Sequence, residues 1–173
     1  MRTVGFQLEP VVSMGGLTVQ PDLPLAQVDF AAAALLIVPG GHLWLRGEGE
    51  PAVAAIRRLH AAGASVAGID SGVLALARAG VLDDCRHTGN WPGQVDSQVP
   101  GYAGAERYDS GALAVRDGGV ITASHLGSVE FAHEVIHTLD LYGPSDREHW
   151  FRLYKHAIVP PFLVGESAAV EAA

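Results

Sequence analysis

Apolar and polar residues follow one another along this chain in runs that predict strands and helices in alternation. Residues 31–38 form a nearly continuous apolar run that Pro39-Gly40-Gly41 stops, which is typical of a strand buried on both faces of a parallel sheet. The short run 65–69 predicts a second strand of this kind. Between them, residues 50–62 carry apolar side chains at helical spacing and end at Gly63. The pattern therefore predicts a strand, a helix and a strand in succession.

The same reasoning divides the rest of the chain into short elements. In the first 29 residues it predicts a strand over 2–7, two extended pieces within 11–19 around a turn at 14–16, and a loop over 21–29 whose prolines break any strand ladder. Further along, it predicts a hairpin of 112–116 with 120–123 and a helix over 128–141. The last predicted helix begins with the capping box of Ser145 and Glu148 and runs to His156. Residues 83–108 are polar and predict an excursion of short elements. Strands that alternate with helices predict a single α/β domain over 1–173, with a mainly parallel sheet and a frayed tail after about 163.

The stretch from Ser65 to Gly80, SVAGIDSGVLALARAG, organises the rest of the chain. A short strand meets the tight corner Asp70-Ser71-Gly72 and continues at once into an apolar-periodic helix. Such an elbow presents one side chain, Asp70, at the carboxyl end of a strand and at the positive end of a helix, where open α/β sheets bind ligands and carry out chemistry. The functional site is therefore predicted at Asp70.

Composition and charge narrow the range of partners. The net charge is −8 and no cluster of Lys or Arg is present to neutralise phosphates, so no nucleic-acid partner is expected. The single cysteine, Cys85, excludes an internal disulfide framework and fits a reducing compartment. No apolar run approaches the roughly 20 residues of a membrane span, and the N-terminus lacks the layout of a secretory leader. We therefore expect a cytoplasmic protein with no membrane partner.

Four separate stretches resemble a known family, in that family's order. They are LLIVPGGHLWL, RRLHAAGASVAGIDSGVLALARAGVLDDCRHTGNW, VITASHLGSVEFAHEVIHTLDL and EHWFRLYKH. The chain resembles the DJ-1/PfpI family of class I glutamine amidotransferase-like proteins, and most of all the bacterial branch labelled type 1 glutamine amidotransferase-like. The resemblance implies a flavodoxin-like three-layer sandwich with a mainly parallel sheet. We expect no cofactor.

One departure from the family concerns the elbow. The family has a nucleophilic cysteine at the position that Asp70 occupies here, and its oxyanion donors correspond to Gly40, Gly41, His42 and Ser71. Without the thiol no thioester can form. The resemblance therefore implies that amidotransferase, cysteine-protease, glyoxalase and deglycase chemistry is absent.

A second departure concerns the N-terminus. The family begins with an additional strand and helix that carry an acidic partner of the cysteine, whereas this chain resembles the family only from its second strand, so Glu9 is not that acidic residue. A sheet that lacks a strand near its middle exposes unpaired backbone and apolar side chains, which favours pairing with another chain. We expect either a homodimer or a rearranged N-terminal strand in the vacant position.

Three interpretations of Asp70 are open. In the first, Asp70 caps the helix by accepting a hydrogen bond from the N–H of Gly72 or Val73. The protein is then a pseudoenzyme with a small-molecule pocket, which is formed by the segments 39–42, 70–71 and 124–125 and includes Ser124. In the second, Asp70 is the nucleophile of a hydrolase and His125 is its base, with His42 and then His87 as weaker candidates. In the third, the protein is an oligomeric scaffold with an occluded rim.

A competing motif is the sequence His133-Glu134-Val135-Ile136-His137. It fits the H-E-x-x-H zinc pattern, in which two histidines one helical turn apart bind the metal and the glutamate acts as base. However, the apolar stripe of the 128–141 helix lies nearly opposite these histidines, which predicts that they face solvent. We therefore expect no metal site here.

Overall fold

The computed structural model describes residues 1–164, and the predicted frayed tail beyond that point lies outside the described residues. In chain order the strands are β1 (Val4–Gly5), β2 (Val11–Val12), β3 (Thr18–Val19), β4 (Leu23–Pro24), β5 (Leu35–Val38), β6 (Ser65–Ile69), β7 (Ala114–Asp117) and β8 (Val120–Ala123). The helices are α1 (His42–Leu45), α2 (Glu50–Ala61), α3 (Gly72–Arg78), α4 (Gln94–Gln98), α5 (Ser128–Thr138) and α6 (Pro144–His156).

The central sheet has four strands in the order β5-β6-β8-β7, and only its β7–β8 pair is antiparallel. Side chains alternate between its two faces, because successive residues of a strand point to opposite sides. Val66 and Val120 join the larger core under α2 and α3, whereas their neighbours Ala67 and Ile121 pack on the other side with Phe131 of α5. The predicted α/β sandwich with a mainly parallel sheet is thereby confirmed.

The N-terminal 24 residues form two small sheets of their own, in which β1 pairs with β4 and β2 pairs with β3. The prediction that Pro21 and Pro24 break any ladder is wrong, because Pro24 pairs in parallel with Gly5. A proline fits an edge strand, where its missing N–H is not needed for the ladder.

Two helix starts also differ from the sequence-based prediction. Helix α1 directly follows the Pro39-Gly40-Gly41 turn and was not predicted. Helix α6 begins with Pro144 at its first position, and its N-cap is Gly143, which makes no side-chain cap bond. The predicted capping box is therefore wrong. The fixed φ of proline suits the first position of a helix, so α6 begins at Pro144, one residue before Ser145.

Strand β5 lies at the edge of the sheet, and one of its faces is only partly covered. Val38 belongs to the core, but the side chain of Ile37 keeps 41% of its surface exposed. In residues 1–164, β5 pairs with β6 alone. The rearranged-strand expectation is therefore wrong for the described chain, since β1 pairs with β4 instead of filling the edge.

Candidate functional site

The backbone at the elbow is strained. Asp70 directly follows β6; its N–H donates to the carbonyl oxygen of Ala123 at 3.0 Å, and it has a φ of 56°. This left-handed conformation costs an ordinary residue roughly 1–2 kcal/mol, and it turns the chain sharply from β6 into α3. The elbow predicted from the sequence is therefore present, with the Asp70 side chain half-buried at its corner.

The Asp70 carboxylate does not cap helix α3. The N–H of Val73 donates to the main-chain oxygen of Asp70 at 3.2 Å, and the N-cap residue of α3 is Ser71, without a side-chain cap bond. The capping prediction is wrong because the left-handed φ directs the side chain away from the first turn. The carboxylate is consequently available for other contacts.

Asn90 is the principal partner of that carboxylate, and it also holds His125. Its Nδ2 donates to Asp70 Oδ1 at 2.7 Å. Its Oδ1 accepts both the backbone N–H of His125 and the ring Nδ1, each at 2.9 Å. No histidine nitrogen of residues 1–164 lies within hydrogen-bond distance of the Asp70 carboxylate; the two predicted residues are joined only through Asn90.

The sequence contained no local signal for Asn90. It lies 20 residues after Asp70 and 35 before His125, in the polar excursion. Its position is set by Thr88, whose N–H donates to Thr122 Oγ1 at 2.8 Å and whose hydroxyl donates to the carbonyl of Ala112 at 2.9 Å. These bonds fasten the excursion to β8 and to the segment just before β7.

The other predicted bases are placed away from the carboxylate. His42 is exposed at the start of α1. His87 is fully buried; its Nδ1 donates to the carbonyl of Cys85 at 2.8 Å, and its Nε2 accepts the hydroxyl proton of Tyr102. His87 is therefore a structural histidine and not a base for Asp70.

The predicted oxyanion donors are only partly available. The N–H of Gly41 donates to Ser71 Oγ at 2.9 Å, so this donor is already used. A Cβ on Gly40 would lie 2.1 Å from Asp70 Oδ2, which shows that the carboxylate rests directly against this glycine. Ser124 is buried, and its hydroxyl accepts the N–H of Leu126 at 3.2 Å, where it stabilises the turn before α5.

The H-E-x-x-H motif is covered by α6, so the prediction that its histidines face solvent is wrong. The His133 ring lies 4.6 Å from that of Phe151, and His137 Nδ1 lies 3.4 Å from Nη1 of Arg147. Glu134 pairs with Arg116. Within residues 1–164 no three His, Cys, Asp or Glu side chains are grouped to hold a metal.

The only thiol of the chain is poorly suited to chemistry. Cys85 is buried, and burial raises its pKa to about 11. Only a thiolate is a nucleophile, so this cysteine is inert at neutral pH.

Two concavities in the surface of the described residues lie away from the elbow. One lies beside Arg152 and the segment 158–161, and the other lies beside Arg78 and the segment 99–102. Neither includes a residue of the predicted pocket.

Acid is expected to destabilise the protein through His87. Burial lowers the pKa of His87 below its ordinary value. Below about pH 6.5 the unfolded state therefore binds a proton at this histidine that the folded state does not bind. The free energy of unfolding then falls as the pH drops, by at most about 1.4 kcal/mol per pH unit for this group. The pH dependence is measured by urea denaturation between pH 7.5 and 5, on wild type, on His87→Gln and on the exposed control His42→Gln. If the free energy of unfolding of His87→Gln falls with pH as steeply as that of wild type, the prediction is contradicted.

The comparisons with known proteins agree with this fold. The DJ-1/PfpI family pattern matches residues 1–138. The chain belongs to the DJ-1/PfpI family. Its relatives include the Bacillus subtilis (strain 168) protein YoaZ, which is named an uncharacterized protease; the two are 33% identical over 153 residues, which are 88% of this chain and 72% of YoaZ.

Solved DJ-1/PfpI structures superpose on most of the chain. A thiJ/pfpI family protein from Bacillus anthracis is 34% identical, with a TM-score of 0.84 over 90% of this chain and 73% of the other. The DJ-1 superfamily protein Atu0886 from Agrobacterium tumefaciens is 34% identical, with a TM-score of 0.79 over 88% of this chain and 81% of the other. The flavodoxin-like fold expected from the resemblance is confirmed. In residues 1–164 of this family member, no helix is long and apolar enough to span a membrane.

Proposed function

We propose that this DJ-1/PfpI family member binds a small molecule at the elbow and carries out no cysteine chemistry. The position that the resemblance assigns to the nucleophilic thiol holds Asp70, and the remaining thiol is buried and inert. YoaZ is named a protease, but we do not propose a cysteine-protease activity for this chain.

The observation that carries the proposal is the position of Asn90. An ionised aspartate attacks without a base, but the water that would hydrolyse its ester must be activated by a base within hydrogen-bond reach. Here the side-chain amide of Asn90 separates Asp70 from His125, and an amide neither accepts nor releases a proton at neutral pH. Carboxylate, amide and imidazole form a fixed polar surface, which suits recognition more than catalysis.

One observation favours the alternative, a hydrolase with Asp70 as nucleophile and His125 as base. Strained backbone concentrates at active sites, and the left-handed φ of Asp70 is such a strain. The hydrolase requires the Asn90 side chain to move aside when substrate binds, so that the imidazole reaches an ester on Asp70. The third interpretation, a scaffold, requires an occluded rim, whereas His42 and His125 are exposed in the single chain.

Ligand binding at the elbow is tested by nuclear magnetic resonance. Wild type labelled with ¹⁵N is titrated with a panel of small amines, acids, alcohols and amides, and Asp70→Asn is titrated as the matched control. We expect at least one panel compound to shift the amide signals of Gly40, Gly41 and Ser71 in wild type and to do so more weakly in the variant. A panel that leaves all three signals unchanged would contradict the proposal.

We also propose that the protein is a cytoplasmic homodimer in which a second copy covers the open edge of β5. Support comes from the exposed Ile37 on that edge and from apolar side chains exposed near β1, Val4 and Phe6. Sedimentation velocity at micromolar concentration is expected to give a dimer for wild type, and a monomer for Ile37→Lys, whose charge is costly to bury. A monodisperse wild-type monomer would exclude this assembly.

A further inference from the structure

We propose that the ligand class of the elbow is an organic cation, namely a primary amine with a compact apolar body. This inference rests on the proposed function, because it names the kind of molecule that the elbow binds. It follows from the direction of the hydrogen bonds around Asn90, from the charge around Asp70 and from two exposed apolar side chains beside them.

The direction of the hydrogen bonds is fixed by a backbone group. The main-chain N–H of His125 can only donate, so the Asn90 atom that it meets at 2.9 Å is the oxygen. The amide nitrogen of Asn90 then necessarily faces Asp70. The same oxygen lies 2.9 Å from His125 Nδ1, so that nitrogen carries a proton, and in the neutral imidazole Nε2 is left as an acceptor.

Apart from the second N–H of Asn90, the side-chain groups of this network that remain available to a ligand are acceptors. Asp70 contributes two carboxylate oxygens, of which Oδ1 receives one bond from Asn90 and Oδ2 lies 3.3 Å from Ser71 Oγ. A carboxylate has about four acceptor positions, so positions remain free. A ligand that presents several N–H donors matches this surface, and an ammonium group presents three.

Charge selects in the same direction. Within residues 1–164, Asp70 forms no ion pair with any Lys, Arg or His nitrogen within 4.0 Å. The carboxylate also rests against Gly40, and the neighbouring N–H of Gly41 is already bound to Ser71. An anionic ligand would therefore meet a negative charge where the predicted oxyanion site lies, whereas a cation would meet a half-buried carboxylate that is opposed only by the partial positive charge at the start of the short helix α3.

The apolar part of the ligand is indicated by the residues that follow Asn90 and His125. Trp91 keeps 52% of its surface exposed, and Leu126 keeps 68%. The bond between Asn90 and the backbone of His125 holds these two loops together, so both apolar side chains lie on loops that border the polar network. A tryptophan also favours a cation through its ring face. A small aromatic amine combines these features.

The test uses three probes with the same ring and different charge: benzylamine, benzyl alcohol and benzoate. They are titrated into ¹⁵N-labelled wild type, Asp70→Asn and the control Asp84→Asn, whose carboxylate is fully exposed. We expect benzylamine to shift the Ser71 and Trp91 amide signals with a Kd at least tenfold lower than that of benzyl alcohol. Benzoate is expected to leave these signals unchanged. Asp70→Asn should remove the preference for the amine, and Asp84→Asn should retain it.

The outcomes separate this inference from the proposed function. Elbow shifts caused by benzoate or benzyl alcohol at lower concentration than by benzylamine would overturn the cation inference and leave binding at the elbow intact. Benzylamine binding that is unchanged in Asp70→Asn would overturn the assignment to Asp70. If neither these probes nor the wider panel shift the elbow signals, both the inference and the proposed function fail. The thermal midpoint of each variant confirms that it is folded.

Discussion

Replacing Asp70 with cysteine is expected to create a thiol that iodoacetamide alkylates at least about 100-fold faster than the native Cys85 at pH 7. The elbow holds its side chain half-buried, beside the donor Nδ2 of Asn90. An unperturbed thiol has a pKa of about 8.5 and is a few per cent thiolate at pH 7. The pKa of Cys85 is raised to about 11 by burial, so its thiolate is rarer by a further factor of about 300.

The reaction is followed by intact-mass spectrometry, with the rates of the two thiols separated in a Cys85→Ala background. Asp84→Cys gives the rate of an ordinary exposed thiol, since that side chain is fully exposed. A thiol at position 70 that reacts as slowly as Cys85 would mean that the elbow is occluded. That outcome would favour the scaffold interpretation over the binding site.

Gly72→Ala is expected to lower the free energy of unfolding by about 3 kcal/mol or more, although alanine is the better helix former by roughly 1 kcal/mol. A Cβ at this position would lie 2.3 Å from the carbonyl oxygen of Val38 and 3.0 Å from that of Pro39. Backbone atoms cannot move aside as a side-chain tip can. Helix α3 would have to shift away from β5, and the contact between Asp70 and the Gly40 loop would open with it.

The matched control is Gly41→Ala, in the loop between β5 and α1. Gly41 has an extended φ of 178°, and its added Cβ would meet only Trp44 Nε1, at 4.0 Å. Urea denaturation is expected to show a change within about 1 kcal/mol for this variant. Equal losses for the two variants would contradict the close packing of α3 against β5 at Gly72.

Local sequence patterns predicted the elements that build the elbow and could not predict what surrounds it. The strand 65–69 and the corner at Asp70 follow from short-range apolar periodicity and turn residues, and both are present. The role of Asn90 depends on bonds from Thr88 to Thr122 in β8 and to Ala112, which are distant in sequence and leave no periodic trace in the chain. Sequence reasoning therefore selected the histidine of the HTGN stretch instead of its asparagine.

The same limit explains the error at the H-E-x-x-H motif. The apolar stripe of α5 indicated which of its faces meets the sheet, and Phe131 does pack there. The opposite face was predicted to be in solvent, because the periodicity of one helix does not show that another helix covers it. Helix α6 packs over His133 and His137 through Phe151 and Arg147.

The measurement that tests the central claim most directly is intact-mass spectrometry of wild type after incubation with activated esters, haloalkanes and amides, with Asp70→Asn as the control. In the binding-site account the Asp70 carboxylate is held by Asn90 and rests against Gly40 as a recognition group, so no covalent adduct is expected at Asp70 and wild type and variant should show the same pattern of adducts. An adduct on wild type that is absent from Asp70→Asn would contradict the binding-site account and establish Asp70 as the nucleophile of a hydrolase.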